Sequence, residues 1–256
     1  MIESFYRQTA TVEDRHWWFD HRRALVSALL DRHAPELTGR ALDVGCGSAG
    51  TTRILANRCE LVVGVDRSPV ALGLARTKHV DARLVRADAN RLADTFAPGT
   101  FDLVSVFNVL YHAWIDDEAR TLSAIRHVLR SGGWLVLTEP AWEVLRRRHD
   151  VVDLGARRFG AARLRRLVED AGFEIRVSSS FNVVSLVPAL LAAMKDRVLG
   201  HLRADLAADE HVGELRHPPR VVESVARLAC HIERAALSRG LTLPIGVGIL
   251  VVAQAR

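Results

Sequence analysis

Three glycines and one aspartate in the first quarter of the chain form a pattern that binds nucleotides. Gly45, Gly47 and Gly50 match the spacing G-x-G-x-x-G and follow an apolar segment, residues 41–44, that suits a buried parallel strand. Glycines at such a turn let the backbone approach a ligand closely, and the N-terminus of the next helix then points at that ligand. Asp66 lies 21 residues after Gly45, at the end of a second short strand, where an acidic side chain can bind ribose hydroxyls.

Asp43 distinguishes between two kinds of nucleotide. It lies two residues before the first glycine, where a carboxylate would repel the pyrophosphate of a dinucleotide but would attract an α-amino group. The ligand that this position indicates is a nucleoside that carries an amino acid, S-adenosylmethionine (SAM).

Methyl transfer from a sulfonium asks the protein to align the acceptor with the methyl group and to exclude water. An oxygen or nitrogen acceptor can also need a base. His112 is the first candidate, because it follows the predicted fourth strand and an imidazole titrates near neutral pH. Further candidates are His16, Tyr111 and His149, and for each the alternative is a purely structural role. No metal-ligand cluster is visible, and no metal is expected.

Strand and helix patterns alternate through the region that must position these residues. Ser68-Pro69 is a typical helix start, and Asp116-Asp117-Glu118 places negative charge where a helix begins. This alternation predicts a parallel sheet with right-handed crossovers, whose carboxyl edge binds the ligand. The predicted strands are 41–44, 61–65, 83–85, 101–107 and 134–138, with a helix at 24–30 before them and helices at 51–58, 68–78 and 116–129 between them.

The rest of the chain adds helices to this sheet. We expect a helix at 161–170, a sixth strand at 173–179, helices at 185–206 and 220–238, and a last strand at 246–253. The prediction is one domain over residues 1–256, with an N-terminal helical lid at 1–40 and a helical insertion or cap at 181–240. Trp17 and Trp18 cannot both face one core on a helix, so one of them covers a ligand or caps the sheet edge. The insertion either roofs the acceptor pocket or forms an added layer or dimer face.

Composition limits the class of protein. The net charge of +5 and the pI of about 9.7 come mainly from arginines spread through predicted helices, so no nucleic-acid partner is expected. Three cysteines without metal spacing suit a reduced, cytoplasmic setting, and no signal peptide is evident. The longest apolar segment, 183–194, contains Pro188 and is too short to span a bilayer, so no stable membrane insertion is expected.

These residues resemble the class I SAM-dependent methyltransferases. Residues 42–50 are similar to the first motif of that family, Asp66 to its ribose-binding acid, and Asp88 to the residue beside the adenine amino group. The strand 101–107 and the turn 131–133 also match in order. The resemblance implies a Rossmann-like α/β fold with a seven-stranded, mostly parallel sheet, the last strand antiparallel, helices on both faces, and the helical insertion between the last two strands.

A narrower resemblance covers nearly the whole chain. The pattern E-x-x-H-W-W-F at residues 13–19, followed by Arg22-Arg23, is similar to the opening of a bacterial subgroup of these enzymes. Asp150, Arg157-Arg158 and residues 243–246 also fit. Two positions depart from the subgroup, since Gly155 replaces a histidine and Phe159 replaces a tyrosine, and these changes point to a different acceptor.

The predicted cofactor site combines the motif residues with their neighbours. Arg22 or Arg23 could pair with the SAM carboxylate, because an arginine fork suits a carboxylate, or either could be surface charge. The predicted cofactor-binding residues are Asp43, Gly45, Cys46, Gly47, Asp66, Arg67, Asp88, Ala89, Asn108 and Arg23.

Four functions remain open at this stage. The first is a methyltransferase that modifies an O or N atom of a small natural-product or sugar-related acceptor and that could act as a homodimer. The second is RNA or protein methylation, which only the basic pI favours. The third is a SAM-binding regulatory protein without catalysis, and the fourth is a membrane-surface enzyme in which residues 181–206 form an amphipathic helix.

Overall fold

The computed structural model describes residues 3–199 and 219–256. In chain order its elements are α1 (Glu3–Val12), α2 (Trp17–His33), β1 (Arg40–Val44), α3 (Thr52–Ala56), β2 (Leu61–Asp66), α4 (Pro69–Thr77), β3 (Arg83–Arg86), α5 (Leu92–Thr95), β4 (Phe101–Phe107), α6 (Glu118–Val128), β5 (Leu129–Pro140), α7 (Arg148–Val152), α8 (Ala161–Asp170), β6 (Phe173–Phe181), α9 (Leu186–Val198), α10 (Arg220–Ser238) and β7 (Gly248–Ala255). Single 3₁₀ turns lie at Ala89–Arg91, Glu143–Leu145 and Val183–Ser185.

The strands form one sheet in the order β3-β2-β1-β4-β5-β7-β6. β1 to β5 pair in parallel, while β7 runs antiparallel to both β5 and β6. This arrangement confirms the predicted seven-stranded sheet with an antiparallel last strand. The chain order reverses between β1 and β4, and ligands bind open α/β sheets at such a switch point, beyond the carboxyl ends of the strands.

Two apolar layers hold helices on both faces of the sheet. Leu42 and Val44 of β1 point into the layer under α6 and α8, whereas Ala41 points into the layer under α2 and α10. Leu103 and Val104 of β4 divide in the same way, because successive side chains of a strand face opposite sides. A central parallel strand is buried on both faces, which explains why these strands are nearly continuous apolar runs.

Several element boundaries differ from the sequence-based expectation, and three of the differences have a consequence for the fold or the predicted elements. α2 begins at Trp17 rather than at residue 24, because the His16 imidazole accepts a hydrogen bond from the Trp18 amide at 3.3 Å and caps the helix. β5 begins at Leu129, so the expected turn at 131–133 lies inside the strand, where the β4–β5 register shifts. α9 ends at Val198, and residues 200–206 of the longer predicted helix lie outside the described residues.

α10, one of the helices between β6 and β7, is joined to α2 by a buried contact between a histidine and a glutamate. His21 Nε2 lies 2.7 Å from Glu233 Oε1, and both side chains are less than a tenth exposed. Glu233 also accepts hydrogen bonds from the amides of Asn182 (2.6 Å) and Val183 (3.0 Å). Burial opposes ionisation of Glu233, but these three donors hold its pKa below the usual range. One carboxylate therefore fixes α10, the end of β6 and α2 relative to one another.

α9 and α10 each have apolar side chains that are exposed to solvent. On α9 the exposed residues Val187, Leu191, Met194 and Val198 recur with helical spacing. This fits the amphipathic helix expected from residue 181 onward, and its contact with a membrane surface stays a prediction. In the described ranges, 3–199 and 219–256, no helix has the length and apolarity needed to cross a bilayer.

Candidate functional site

A cavity of about 430 Å³ lies at the carboxyl ends of β1, β2 and β4 and extends under α1, α2 and the start of α9. Its position is the one that the reversal of strand order predicts. The sequence-predicted site residues that line it are Asp43, Gly45, Cys46, Gly47, Asp66, Asn108, Tyr111, His112 and His16.

The glycine loop after β1 needs its glycines at two positions. Gly45 and Gly47 have φ angles of +69° and +54°, a region that side chains disfavour. A Cβ atom on Gly45 would lie 2.5 Å from Val109 Cγ2, so the loop after β4 packs directly on this glycine. The Gly47 amide donates a hydrogen bond to Asp66 Oδ2 at 3.0 Å, which joins the loop to the end of β2.

Asp43 is almost fully buried at the base of the cavity. Its two carboxylate oxygens accept hydrogen bonds of 2.6 Å, one from the Thr52 hydroxyl and one from the Ser105 hydroxyl. Burial raises the pKa of Asp43 to about 6, against the effect of these hydroxyls and of the nearby Arg22 charge. At pH 7 the side chain is therefore mainly an anion that is held in place and faces the cavity.

Asp66 is held by the loops beside it. Besides the Gly47 amide, the amide of Ser68 donates to Asp66 Oδ1 at 2.8 Å, and burial raises the pKa of this carboxyl. The Tyr6 hydroxyl of α1 also lies 3.4 Å from Asp66 Oδ1. The predicted helical lid at residues 1–40 did not give α1 as a separate helix, and α1 covers the acid that resembles the ribose-binding residue.

Arg22, rather than its neighbour Arg23, reaches the cavity. Its guanidinium carbon lies 4.9 Å from the centroid of Trp18 and 5.7 Å from that of Phe107, and one Nη donates to the Thr51 hydroxyl at 3.2 Å. Within residues 3–199 and 219–256, no carboxylate lies within 4.0 Å of this guanidinium, and its Nε has no hydrogen-bond partner. Burial lowers the pKa of Arg22 to about 10, so it remains a cation.

Glu13, the first residue of the E-x-x-H-W-W-F pattern, explains how the N-terminal segment is held. Its carboxylate accepts hydrogen bonds from the Ser48 hydroxyl in the glycine loop and from the Lys78 ammonium after α4. All three side chains are nearly buried. The same carboxylate occupies the space that a Cβ atom on Gly50 would need, which accounts for the third glycine of the loop.

The loop after β4 carries two candidate catalytic residues and is organised by an acid. Glu139, fully buried at the end of β5, accepts hydrogen bonds from the amides of Val109 (3.1 Å), Leu110 (2.8 Å) and Tyr111 (3.1 Å). Burial raises the pKa of Glu139 to about 8, although these amides oppose the shift. His112 follows at once, 4% exposed, and burial lowers its pKa to about 3, so its imidazole is neutral at pH 7.

The segment around α7 supplies further lining residues that the sequence analysis did not select as site residues. Asp150 and Arg158 form a buried pair, with Arg158 Nη2 3.0 Å from both carboxylate oxygens. Asp153 lies between them in sequence and is 6% exposed, and burial raises its pKa to about 8. Asp153 belongs to no motif with a characteristic residue spacing, so nothing in the sequence indicated it as a site residue.

The remaining predicted residues lie away from the cavity lining, and their roles stay predictions. Arg23 pairs with Asp20, and Asp88 caps the 3₁₀ turn by accepting from the Asn90 amide at 3.0 Å. Ala89 is buried in the core, and the Arg67 guanidinium lies 5.1 Å from the Trp114 ring centroid. The His149 side chain lies outside what the structure describes. Among the described residues, no cluster of three or more His, Cys, Asp or Glu could hold a metal ion.

Sequence comparison gives one domain match and partial relatives. Residues 42–137 match the family model described as a methyltransferase domain. A ubiquinone biosynthesis O-methyltransferase of Thiobacillus denitrificans is 34% identical over 112 residues, which cover 41% of this chain and 46% of the relative. A second such protein, from Burkholderia multivorans, is 32% identical over 42% of this chain and 47% of its own length. The chain therefore spans about half the length of the curated relatives that it matches.

Comparison with solved structures extends over the whole chain and shows the fold. An S-adenosylmethionine-dependent methyltransferase from Mesorhizobium loti has a TM-score of 0.58 and 19% identity, with 94% of this chain and 99% of that chain covered. A chain from the complex of the Haloferax volcanii Trm112 methyltransferase activator with a methyltransferase has a TM-score of 0.59 and 20% identity, covering 98% and 97%. Residues 42–137 therefore match a methyltransferase domain, and nearly the whole chain shares the fold of these solved structures.

Proposed function

We propose that the protein transfers the methyl group of SAM to an oxygen or nitrogen atom of a small acceptor, of the natural-product or sugar-related kind. The observation that carries the proposal is that one cavity is lined both by a buried arginine without a carboxylate partner and by a buried aspartate. Arg22 suits the carboxylate of the SAM amino acid, and Asp43 suits its ammonium group. Asp66 then lies where a ribose can bind, across the glycine loop.

The residues of the site fit this cofactor. Thr9 Oγ1 and Arg22 Nε line the cavity, are buried, and have no hydrogen-bond partner among the described residues, which is the state expected of groups that bind a polar ligand. SAM, when bound, supplies an activated methyl group on sulfur. The chain itself has to align the acceptor and keep water out, and α1 with Trp17 and Trp18 forms the cover of the cavity.

O-methylation is also the activity for which the partial relatives are named. Those proteins are named for ubiquinone biosynthesis, but the similarity covers less than half of each, so it supports O-methylation here without naming the acceptor.

Calorimetric titration with S-adenosylhomocysteine (SAH) tests the cofactor assignment. We expect the wild-type protein to bind SAH, and Asp66→Asn to weaken binding by about 30-fold or more, because the amide has no charge and offers one acceptor oxygen where the carboxylate offers two to the ribose hydroxyls. Asp94→Asn is the matched control, since Asp94 is an exposed aspartate that pairs with the nearby Arg91. If millimolar SAH produces no binding heat with the wild-type protein, the proposed function is wrong.

A further inference from the structure

Two polar atoms in the cavity are left over once the cofactor contacts are assigned. His112 Nδ1 and Asp153 Oδ1 are buried, belong to residues that line the cavity, and have no hydrogen-bond partner among the described residues. Buried polar atoms are paired in the great majority of cases, and leaving one unpaired costs about 1–3 kcal/mol. Two such atoms indicate a second polar ligand beside the cofactor.

The backbone holds these two residues side by side. His112 pairs with Gly155 as an isolated antiparallel bridge, and the Ala113 amide donates to the Leu154 carbonyl at 2.8 Å. A Cβ atom at Gly155 would lie 2.9 Å from the Tyr111 ring, so glycine is required for this close approach. The loop after β4 and the loop after α7 therefore form one paired unit that presents both side chains to the cavity.

The charges of the cavity disfavour an anionic acceptor. Arg158 is paired with Asp150, and the Arg147 Nε lies 4.0 Å from Asp196. Among the described lining residues, Arg22 is then the one cation without a carboxylate within 4.0 Å. Its guanidinium suits the carboxylate of the cofactor. The cavity is lined by three arginines and by six acidic residues: Glu13, Asp43, Asp66, Glu139, Asp150 and Asp153. Burial raises the pKa of Glu139 and of Asp153 to about 8, so these two are mainly uncharged at pH 7, and the other four acids still outnumber the arginines.

The walls of the cavity favour a flat ring. Aromatic side chains offer large apolar faces, and aromatic rings that stack with an offset or edge to face add about 0.5–1.5 kcal/mol to the effect of burial. The aromatic lining residues are Phe5, Tyr6, Trp17, Trp18, Phe19, Phe107, Tyr111, Trp114 and Phe181.

We propose that Asp153 binds the hydroxyl group of an uncharged phenolic acceptor and takes its proton, while His112 Nδ1 holds the acceptor in place. The proposal rests on the methyl-transfer function given above. As the phenolic oxygen bonds to the methyl carbon, Asp153 receives the hydroxyl proton and later releases it to water. The carbon–sulfur bond breaks in the same step and its electron pair remains on sulfur, which leaves neutral SAH.

Asp153 suits this role better than His112, the first choice from the sequence. A general base works best when its pKa is near the working pH and not far below that of its substrate. Burial raises the pKa of Asp153 to about 8 but lowers that of His112 to about 3, so the buried imidazole is the weaker base. The titratable and charged groups that line the cavity around Asp153 are Tyr6 on α1, Asp66 at the end of β2, His112 after β4, and Arg147, Asp150 and Arg158 around α7.

Substitution of Asp153 separates binding of the acceptor from proton transfer. With catechol as the probe and the protein saturated with SAH, calorimetry should show catechol binding to the wild type and, within about fivefold, to Asp153→Asn, since an amide oxygen can still accept the hydroxyl. Methylation of catechol with tritium-labelled SAM should fall at least 100-fold in kcat for Asp153→Asn, a loss typical of a removed base. Asp153→Leu should lose catechol binding as well. The control Asp170→Asn, at an exposed aspartate in α8, should match the wild type in both measurements.

The pH profile distinguishes a proton acceptor from a structural residue. For the wild type, kcat/KM for catechol should rise with pH and level off above about 8, because the ionised carboxylate is the active form. Asp153→Asn should lack this rise while binding SAH within twofold of the wild type. Unchanged kcat and pH profile in Asp153→Asn would overturn the role of Asp153. SAH binding without catechol binding in the wild type would overturn the phenolic acceptor alone, whereas absence of SAH binding would overturn the proposed function itself.

Discussion

Arg22 and Arg23 are adjacent in sequence but differ in what surrounds them. Arg22 is buried among aromatic rings at the cavity, whereas Arg23 pairs with Asp20 on the same helix. We expect Arg22→Gln to weaken SAH binding by about 10- to 150-fold, because a hydrogen bond to a charged group contributes about 1.5–3 kcal/mol. Arg23→Gln should change SAH affinity less than twofold. Calorimetric titration of both variants makes the measurement, and a larger loss for Arg23→Gln would contradict the assignment.

At this scale the sequence predicted the glycine-loop residues that line the cavity, but it did not predict Asp153. Gly45, Gly47 and Asp66 are recognisable because their spacing follows from a strand, a tight turn and a second strand. Asp153 has no such spacing, since its burial results from the pairing of two loops that lie about 40 residues apart in the chain. The sequence also could not decide which of Arg22 and Arg23 reaches the cavity. The face of α2 that turns inward depends on where this helix begins.

At the scale of elements, α1 depends on tertiary contacts for its place. None of its residues is buried, and a helical lid over residues 1–40 was expected without bounds for this helix. α2 follows closely, and the segment between the two helices is anchored through Glu13 to Ser48 and Lys78. The strands of the sheet were predictable because each has its own apolar run of residues. The position of the N-terminal helices depends instead on long-range contacts such as those of the buried Glu13 carboxylate.

Glu13→Gln should therefore loosen the lid more than the sheet. Removing one partner of a buried ion pair typically costs about 3–5 kcal/mol, and here Asp14, 3.1 Å from Lys78, offsets part of that loss. Amide hydrogen exchange should become faster in α1 and at the start of α2, while β1 and β4 keep their protection, and SAH affinity should fall. Glu3→Gln on the exposed face of α1 is the control and should behave as the wild type. Equal protection of α1 in Glu13→Gln would show that Glu13 does not anchor it.

At the scale of the whole molecule, the question is which nucleotide the glycine loop serves. A dinucleotide brings a pyrophosphate that carries two negative charges, and the described cavity offers it mainly carboxylates and one unpaired guanidinium. SAH brings one ammonium and one carboxylate, which match Asp43 and Arg22. The G-x-G-x-x-G spacing alone is compatible with either ligand, and the surrounding charges make the difference.

Thermal unfolding measures this discrimination on the intact chain. SAH at 100 times its Kd should add about 2.7 kcal/mol of stability, since a ligand that binds only the native state shifts unfolding by mass action. For a domain of this size that corresponds to a rise in Tm of roughly 5–10 °C. NAD⁺ at the same concentration should leave Tm within about 1 °C, because the Asp43 carboxylate in the cavity lining repels a pyrophosphate. The variant Asp43→Asn should reduce the SAH-induced rise, because it removes the anion that faces the ammonium group. A rise with NAD⁺ that equals the rise with SAH would mean that charge at the glycine loop does not select the nucleotide.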